Sequence, residues 1–232
     1  MSHRTGFSSV SDRRRKAKKI SLILDEFRPL DSTQYVLDIG TGSGEIAGIL
    51  GETAHVTSVD IDDTRTIQDG FQFIKIHDQT LPFPDRSFDV IISNHVIEHL
   101  DNPKEHVDEI ARVLKEDGLV YLATPNRLWP WEFHYRLPLL HYLPYPLFAF
   151  ILKLMKRYKE DVKLLSLSGL KKLLNEHFVT HIRSDGICQH PEKYDLNYPR
   201  WLIRALNVLP LGLYTRLAFI HPTLVLVLKK RH

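Results

Sequence analysis

The chain has 232 residues, of which 43% are hydrophobic, 25% charged and 10% aromatic. This is the composition of a globular protein, and it excludes collagen-like, intrinsically disordered and disulfide-rich classes. The formal net charge of +3 conceals an asymmetry, because residues 1–117 hold 14 Lys and Arg against 21 Asp and Glu, whereas residues 118–232 hold 17 against 7. The basic, aromatic second half favours an anionic or lipid-linked partner, with a solvated basic face as the alternative.

The first half of the chain predicts a helix followed by a parallel sheet. The helix is expected over residues 11–28 and is stopped by Pro29. From residue 34 onward, short apolar runs alternate with helical stretches, which is typical of βαβ units. The predicted strands are 35–39, 55–59, 71–76, 88–93 and 119–123. The clearest connecting helix is predicted over 103–115, with Asn102 as its N-cap, before a turn at Asp117-Gly118.

The second half departs from this alternation. Residues 128–157 contain 8 of the 23 aromatic residues, 4 of the 13 prolines and a single acidic residue, Glu132, so we interpret residues 127–162 as an insertion. Its apolar stretch at 137–155 is broken by prolines and Lys153, which argues against a membrane-spanning helix. A helix is then predicted over 166–177, a strand over 178–187 and a last strand over 217–228, interrupted at His221-Pro222.

Cysteine usage and the start of the sequence indicate a reducing compartment. Cys188 is the only cysteine and has no internal partner for a disulfide. No signal-peptide pattern opens the chain. We therefore expect a cytoplasmic protein, with peripheral contact at a membrane surface as an extension of that expectation.

A glycine-rich turn follows the first predicted strand, in the sequence VLDIGTGSG at residues 36–44. Glycine permits a positive φ and lets a ligand approach the backbone, while the amides at a helix start point outward as donors. Asp38, at the end of this strand, is placed to accept hydrogen bonds from a cationic amine or from loop amides. Asp60 closes the second strand, where its two oxygens could accept both hydroxyls of a ribose.

The glycine turn alone leaves two cofactor classes open. Residues 42–47 also satisfy the G-x-G-x-x-A form of the dinucleotide fingerprint, so an NAD-dependent oxidoreductase is one alternative. That reading does not explain Asp38, two residues before the first glycine, or the segment DQTLPFPDRSFD at 78–89.

Taken together, these motifs resemble the class I S-adenosylmethionine-dependent methyltransferases, in particular the branch that includes quinone-biosynthesis enzymes. The resemblance covers residues 36–126. Its components are D-x-G-x-G-x-G from Asp38, the acidic strand end at Asp60, D-x-x-x-L-P-F-x-D-x-S-F-D at 78–89, S-N-x-x-x-E-H at 93–99 and Thr124-Pro125-Asn126. It implies a Rossmann-like α/β fold, with a seven-stranded, mostly parallel sheet flanked by helices and an aromatic, basic helical insertion after the fifth strand.

The resemblance also implies the roles of individual residues in binding S-adenosylmethionine (SAM), whose product is S-adenosylhomocysteine. The methionine part would lie along the glycine turn, the ribose on Asp60, and the adenine against Asp78 and the amide of Gln79. The implied cofactor-binding set is Asp38, Gly40, Thr41, Gly42, Gly44, Asp60, Ile61, Asp78, Gln79, Asn94 and His95. This sequence departs from the family pattern in one respect, since only about ten residues separate Asp60 from the strand at Phe71. The intervening helix, where Ile61 and Asp62 would form the wall of the adenine pocket, is therefore expected to be short.

The organisation implied is one methyltransferase domain over residues 1–232. It comprises an N-terminal helix at 11–28, a cofactor-binding core at 34–126, an acceptor-side lid at 127–162, and a C-terminal helix with strands at 163–232. Because the family's lid covers the acceptor, its aromatic content indicates a small apolar or lipid-linked acceptor. Lys153, Lys156, Arg157 and Lys159 could then meet anionic headgroups. A lid packed on its own protein or on a dimer partner is the alternative.

Methyl transfer from a sulfonium is an in-line displacement that needs an aligned acceptor in a dry pocket. An alcohol or weakly acidic phenol also benefits from a general base, for which His99 is the candidate. His99 could instead cap a helix, and His95, His134 and His141 are less favoured. We predict no metal site, since Glu98 and His99 would diverge on a helix and no Cys-His cluster supports zinc.

Two further alternatives concern the substrate and turnover. Nucleic acid is not expected as the acceptor, because Ser93-Asn94-His95-Val96 lacks an N-P-P-Y-like motif and Cys188 lies outside a pyrimidine-C5 nucleophile motif. A SAM-binding protein without catalysis also fits the glycine turn and Asp60. The acceptor, the methylated atom and the oligomeric state are not encoded in these motifs.

Overall fold

The computed structural model describes residues 10–132, 134–159, 161–194, 196 and 198–231, with side chains from residue 14 onward. Its strands are β1 (Tyr35–Ile39), β2 (His55–Asp60), β3 (Gln72–Lys75), β4 (Phe88–Asn94), β5 (Leu114–Pro125), β6 (Trp131–Glu132), β7 (Leu137–Pro138), β8 (Phe178–Ile182) and β9 (Thr223–Lys230). Its helices are α1 (Val10–Asp25), α2 (Glu45–Gly51), α3 (Pro103–Val113), α4 (Tyr145–Leu154), α5 (Leu167–Leu174), α6 (Ser184–Gln189), α7 (Arg200–Val208) and α8 (Leu211–Arg216).

Seven of these strands form one sheet in the order β3-β2-β1-β4-β5-β9-β8 within the described part of the chain. Strands β1 to β5 pair in parallel, whereas β9 runs antiparallel to both β5 and β8. The predicted seven-stranded, mostly parallel sheet is confirmed. The order places the carboxyl ends of β2, β1 and β4 side by side, where ligands bind in open α/β sheets.

The central strands are buried on both faces, which is why they read as continuous apolar runs rather than alternating ones. On one face, Leu37, Ile91 and Leu122 pack with residues of α3 and α5. On the other face, Val36 and Ile92 pack with residues of α1 and α2. Together these two layers set the sheet as a rigid base for its loops.

Helix α3 begins at the predicted residue and ends two residues before the predicted end. The Asn102 side chain accepts a hydrogen bond from the amide of Glu105, and a proline occupies the first turn. The helix ends at Val113 rather than residue 115, because Leu114 already pairs with Phe88 in the sheet. The pairing then jumps to Val90 with Leu119, so residues 115–118, including the predicted turn, bulge from β5.

Two C-terminal strand predictions are wrong in extent. The strand predicted over 178–187 ends at Ile182, since the amide of Arg183 makes its last sheet bond to the carbonyl of Val225 and a Ser-Asp-Gly run then enters α6. The strand predicted over 217–228 begins at Thr223, after a 3₁₀ turn at Ala218–Ile220. Pro222 has no amide hydrogen to donate, so regular pairing starts after it.

The connection between β2 and β3 contains no helix among its described residues, contrary to the expected short helix. Residues 61–71, here called the strap, instead lie against the glycine turn and α2. The amides of Thr66 and Ile67 donate to the carbonyl of Ser43 at 2.9 and 3.0 Å. Beside Gly51 the approach is so close that a Cβ there would lie 1.9 Å from the carbonyl oxygen of Gly70.

The insertion combines a hairpin, β6–β7, with a 3₁₀ turn and α4, so it is only partly helical. Its own small core contains Tyr135, Phe148, Leu152 and Val162. Phe133, which the sequence analysis counted among its aromatic residues, lies outside the described residues. None of the helices described is both long and apolar enough to cross a bilayer.

The contact between α2 and the strap gives a stability prediction. Gly51→Ala should lower the free energy of unfolding by about 1–3 kcal/mol, because the new methyl group meets backbone rather than a flexible side chain. The matched control is Gly212→Ala in α8, where an added Cβ meets nothing within 4 Å. That control should be neutral or stabilising by up to about 1 kcal/mol. Urea unfolding followed by circular dichroism measures both, and equal stability of Gly51→Ala and wild type would refute the contact.

Candidate functional site

The glycine turn between β1 and α2 is held in left-handed backbone conformation. Gly40, Gly42 and Gly44 have φ values of 73°, 54° and 83°. A Cβ on Gly40 would lie 2.5 Å from Cγ2 of Val96, and one on Gly44 would lie 2.4 Å from the carbonyl oxygen of Ile67. By contrast, a Cβ on Gly42 would meet nothing within 4 Å. The turn is therefore packed at both ends and open at its centre, as a cradle for a ligand requires.

Asp60 ties the end of β2 to this turn. Its side chain is buried, Oδ2 accepts a hydrogen bond from the amide of Gly42 at 2.9 Å, and Oδ1 accepts one from the amide of Asp62 at 3.3 Å. The paired oxygens of a carboxylate are the type of acceptor that binds the two hydroxyls of a ribose. The residue is thus both a structural brace and a suitable ribose ligand.

Asp38 is a buried carboxyl beneath the turn. Its Oδ2 accepts a hydrogen bond from Oγ1 of Thr41 at 2.8 Å. Burial raises the pKa of Asp38 to about 7; the bond from Thr41 opposes the rise, and the charge of Asp60 adds to it. A cation bound at the turn would favour the ionised form, and the SAM sulfonium and α-amino group are such cations.

The residues expected at the adenine lie at the ends of β2 and β3. Ile61 follows Asp60 and is 45% exposed, leaving an apolar surface at the rim. Asp78 is exposed, and its Oδ1 accepts a hydrogen bond from the amide of Thr80 at 2.8 Å. Oε1 of Gln79 is buried and has no hydrogen-bond partner among the described residues. An unsatisfied acceptor of this kind is suited to a ligand N–H group, such as the adenine amine.

A clamp from α3 fixes the segment that follows Gln79. Glu109 Oε2 accepts a hydrogen bond from the amide of Leu81 at 2.8 Å, while Arg112 donates to the carbonyls of Leu81 at 2.9 Å and Phe83 at 2.7 Å. The side-chain bond with Glu109 raises the pKa of Arg112 above its usual range. This clamp was not predicted from the sequence, although Glu and Arg three residues apart on α3 were the available signal.

At the end of β4, a buried carboxylate organises the acceptor side. Asn94 is the last residue of β4, and His95 adopts a left-handed φ of 61°. Glu98 is fully buried; Oε1 lies 3.1 Å from Nδ1 of His95, and Oε2 accepts a hydrogen bond from Thr124 Oγ1 at 2.9 Å. Burial acts to raise the pKa of Glu98, but the hydrogen bond and charge of His95 outweigh it, so the pKa lies below its usual value.

His99 lies beside a second histidine that the sequence analysis gave little weight. The rings of His99 and His134 are nearly perpendicular, with centroids 5.2 Å apart. Nδ1 of His134 lies 2.7 Å from Oε1 of the buried Glu132. Oε1 also accepts a hydrogen bond from the amide of His134, and Oε2 accepts one from the amide of Tyr135. Burial acts to raise the pKa of Glu132, but these hydrogen bonds outweigh it and lower the pKa. Glu132 therefore fixes the orientation of His134.

Three side chains near the end of β4 form a cluster that could hold a metal ion, although no metal was predicted. Glu98, His99 and His134 each offer one ligand atom, and these atoms lie within 4.8 Å of one another. The prediction assumed that residues 98 and 99 diverge on an α-helix, whereas they lie in a 3₁₀ turn, and the third group comes from the insertion. The absence of a metal stays a prediction.

Sequence comparisons identify relatives of this chain. The family model described as "Methyltransferase domain" matches residues 11–178. A probable SAM-dependent methyltransferase of Mycobacterium tuberculosis is 32% identical over 117 residues, or 48% of this chain and 43% of that protein. A ubiquinone biosynthesis O-methyltransferase of Bartonella tribocorum is 28% identical over 179 residues, or 70% of this chain and 66% of that protein. The alignment thus spans less than half the length of the mycobacterial relative.

Structural comparisons agree on the fold. A methyltransferase of Haloferax volcanii, solved with the Trm112 methyltransferase activator, has a TM-score of 0.58 at 20% identity and covers 96% of this chain and 92% of that one. Phosphoethanolamine N-methyltransferase 2 of Haemonchus contortus, solved with SAM, has a TM-score of 0.57 at 16% identity and covers 93% and 52%.

The family match extends over well more than half of the chain, and it includes the glycine turn, Asp60 and Glu98. It sets aside the dinucleotide alternative that the G-x-G-x-x-A pattern left open. This chain therefore belongs to the class I S-adenosylmethionine-dependent methyltransferases.

Proposed function

We propose that this protein transfers a methyl group from SAM to a small, apolar or lipid-linked acceptor by in-line displacement. The supporting observation is the adjacency of β2, β1 and β4, which gathers the open side of Gly42, the carboxylate of Asp60 and the His95–Glu98 pair along one sheet edge. When bound, the cofactor supplies an electrophilic methyl group on a sulfonium. The protein's own contribution is to bind, orient and exclude water.

The cofactor roles proposed here follow the order of these strands along the edge. The turn from Asp38 through Gly40, Thr41, Gly42 and Gly44 holds the methionine part, and Asp60 holds the ribose. Ile61, Asp78 and Gln79 hold the adenine. Asn94 and His95, at the end of β4, border the methyl group, which places the acceptor between β4 and the insertion.

The acceptor class is inferred from the surface of the insertion. Trp131, Leu139 and Tyr142 are each at least 40% exposed, and the hydroxyl of Tyr142 donates to the carbonyl of Leu128 shortly after β5. Apolar side chains beside the reacting edge favour an apolar acceptor over a nucleic acid. We further propose that the basic end of α4, with Lys153, Lys156 and Arg157, contacts a membrane surface.

His99 is the proposed general base for a hydroxyl acceptor. In this scheme the acceptor oxygen gains the methyl group and its proton passes to the imidazole of His99. His134, oriented by Glu132, lies against the His99 ring and limits its freedom. We propose that His134 and Glu132 position His99.

The role of Asp60 can be tested through cofactor affinity. Asp60→Ala should weaken S-adenosylhomocysteine binding roughly tenfold or more, because the ribose hydrogen bonds and the bond that holds the amide of Gly42 are both lost, while the domain stays folded. Calorimetric titration gives the affinity, and circular dichroism checks folding. Asp69→Ala, an exposed carboxylate on the strap, is the matched control and should bind as wild type does. Wild-type affinity in a folded Asp60→Ala protein would contradict the assignment.

The buried carboxyl of Asp38 gives a pH dependence. Its pKa is about 7 when folded against an ordinary value of 3.8, so the folded state binds the proton more tightly and stability falls as pH rises from about 4 to 7. Asp38→Asn is neutral throughout. Between pH 5 and pH 8 its stability relative to wild type should therefore rise, by about 1–3 kcal/mol. Urea unfolding of both ligand-free proteins at the two pH values measures this, and a pH-independent difference would refute it.

The activity itself is tested with SAM carrying a radioactive methyl group and a lipid extract dispersed in detergent. We expect label in small organic-soluble products and none in added RNA or DNA. His99→Gln should lower kcat by about 10²–10⁴-fold without changing S-adenosylhomocysteine affinity. His55→Gln, an exposed histidine at the opposite edge, is the matched control.

Each other outcome contradicts a separate part of the proposal. Cofactor binding without turnover on any lipid fraction would indicate a catalytically silent SAM-binding protein. Label in nucleic acid would overturn the acceptor class. Loss of activity on metal chelation, with recovery on adding a divalent cation, would overturn the predicted absence of a metal at Glu98, His99 and His134.

A further inference from the structure

Helices α7 and α8 present large apolar side chains to solvent. None of the residues of α7 is buried, and Tyr214 is the buried residue of α8. The exposed residues, here called the C-terminal apolar face, are Trp201, Val208, Leu211, Leu217, Phe219 and Ile220, with Trp201 70% and Val208 83% exposed. Several large, exposed apolar side chains within one segment mark a candidate interaction surface.

Three hydrogen bonds tie these two helices to the fold and to each other. Oγ1 of Thr215 donates to Oδ2 of Asp185 at 2.9 Å, and the hydroxyl of Tyr214 donates to the carbonyl of Leu206 at 2.9 Å. Nε2 of Gln189 donates to the carbonyl of Leu209 at 2.9 Å. These bonds anchor α7 and α8 to α6 and to each other, so the exposed apolar side chains are carried by helices that are packed on the rest of the fold.

The segment that carries this face is basic, although Glu192, which accepts a hydrogen bond from Asn207 of α7, and the buried Asp185 lie beside it. The sequence from Leu196 to His232 holds six Lys and Arg and no Asp or Glu. Arg200 and Arg204 lie on α7, and Arg216 ends α8. A second copy of the face would bring like charges together without an acidic partner in this segment, which disfavours self-association through it. An anionic surface is the complementary partner.

The face also lies at the acceptor edge of the sheet. Asn126 follows the last residue of β5, and its Nδ2 donates to the carbonyls of Phe219 and His221, both at 2.8 Å. Two residues earlier, Thr124 bonds to the buried Glu98. A planar surface in contact with Phe219 and Ile220 would therefore meet the protein beside the proposed acceptor site.

From these observations we infer that the C-terminal apolar face docks on a bilayer containing anionic lipids. The apolar side chains enter the interface, and Arg200, Arg204 and Arg216 contact the headgroups. This inference rests on the proposed function and extends it. Docking through this face would place the proposed acceptor site at the membrane, where a lipid-linked acceptor resides. It involves a surface separate from the basic end of α4.

The test is co-sedimentation of the full chain with vesicles of phosphatidylcholine and phosphatidylglycerol, mixed in a roughly 2:1 ratio, against pure phosphatidylcholine. We expect binding to the mixed vesicles at physiological ionic strength and weak binding to the neutral ones. The triple variant Trp201→Ser, Val208→Ser, Leu211→Ser should bind the mixed vesicles at least roughly tenfold more weakly than wild type. Arg200→Gln with Arg204→Gln should lower the preference for anionic vesicles.

Two matched variants assign the effect to this face. Tyr35→Ser with Val179→Ser removes exposed apolar groups elsewhere on the sheet and should bind as wild type does. Lys153→Gln with Lys156→Gln tests the basic end of α4 as the alternative membrane contact. The inference would be overturned if this variant lost all vesicle binding while the triple variant bound as wild type does. Circular dichroism confirms that every variant is folded.

Other results are equally decisive. Failure of the wild type to bind mixed vesicles would overturn the inference. So would a dimer in the absence of lipid that the triple variant abolishes, because the face would then belong to a second copy. S-adenosylhomocysteine binding is measured separately on the same proteins, so vesicle binding without cofactor binding would refute the proposed function and leave this inference standing.

Discussion

The hydrogen bond from the amide of Gly42 to the carboxylate of Asp60 is the constraint on which the site depends. Three left-handed glycines in five residues form a turn with little conformational preference of its own. The carboxylate holds this turn from the end of β2, and the strap holds it from the other side through the carbonyl of Ser43. The start of α2, the open side of Gly42 and the burial of Asp38 all depend on the turn being held in this way.

Much of the sheet was predictable because its central strands are buried on both faces. Their apolar runs stand out against the polar turns between them, so β1, β2, β4 and much of β5 were placed within a few residues. The strap was not predicted, although two threonine side chains help to fix it. The amides of Thr66 and Ile67 and the hydroxyls of Thr64 and Thr66 all donate to the backbone carbonyls of Gly42 and Ser43, and carbonyl acceptors carry no sequence signal of their own. The end of β8 was also missed, because the chain leaves the sheet for α6 directly after the amide of Arg183 bonds to the carbonyl of Val225.

The candidate site also contains residues that the sequence predicts and residues that it does not. The motifs located the residues at the strand ends because each of them acts locally: the glycines allow a positive φ in the turn, and the carboxylates accept hydrogen bonds beside it. The groups that position them come from distant parts of the chain: Arg112 from α3 onto the segment after Gln79, and Glu132 from the insertion onto His134. A single sequence carries no record of such long-range pairs. The clustering of His99 with His134 was therefore visible only after folding.

The position of β9 between β5 and β8 has a consequence for how the chain reaches its native state. Until β9 pairs, β5 is an edge strand with a long, apolar, unpaired backbone, the kind of edge that invites intermolecular association. Because β9 is far from β5 in sequence, closing this edge requires a long loop to be ordered, and such non-local pairing is slow. Pairing of β9 removes this edge, so the interval before β9 docks is the one in which association would be favoured and a chaperone would matter most.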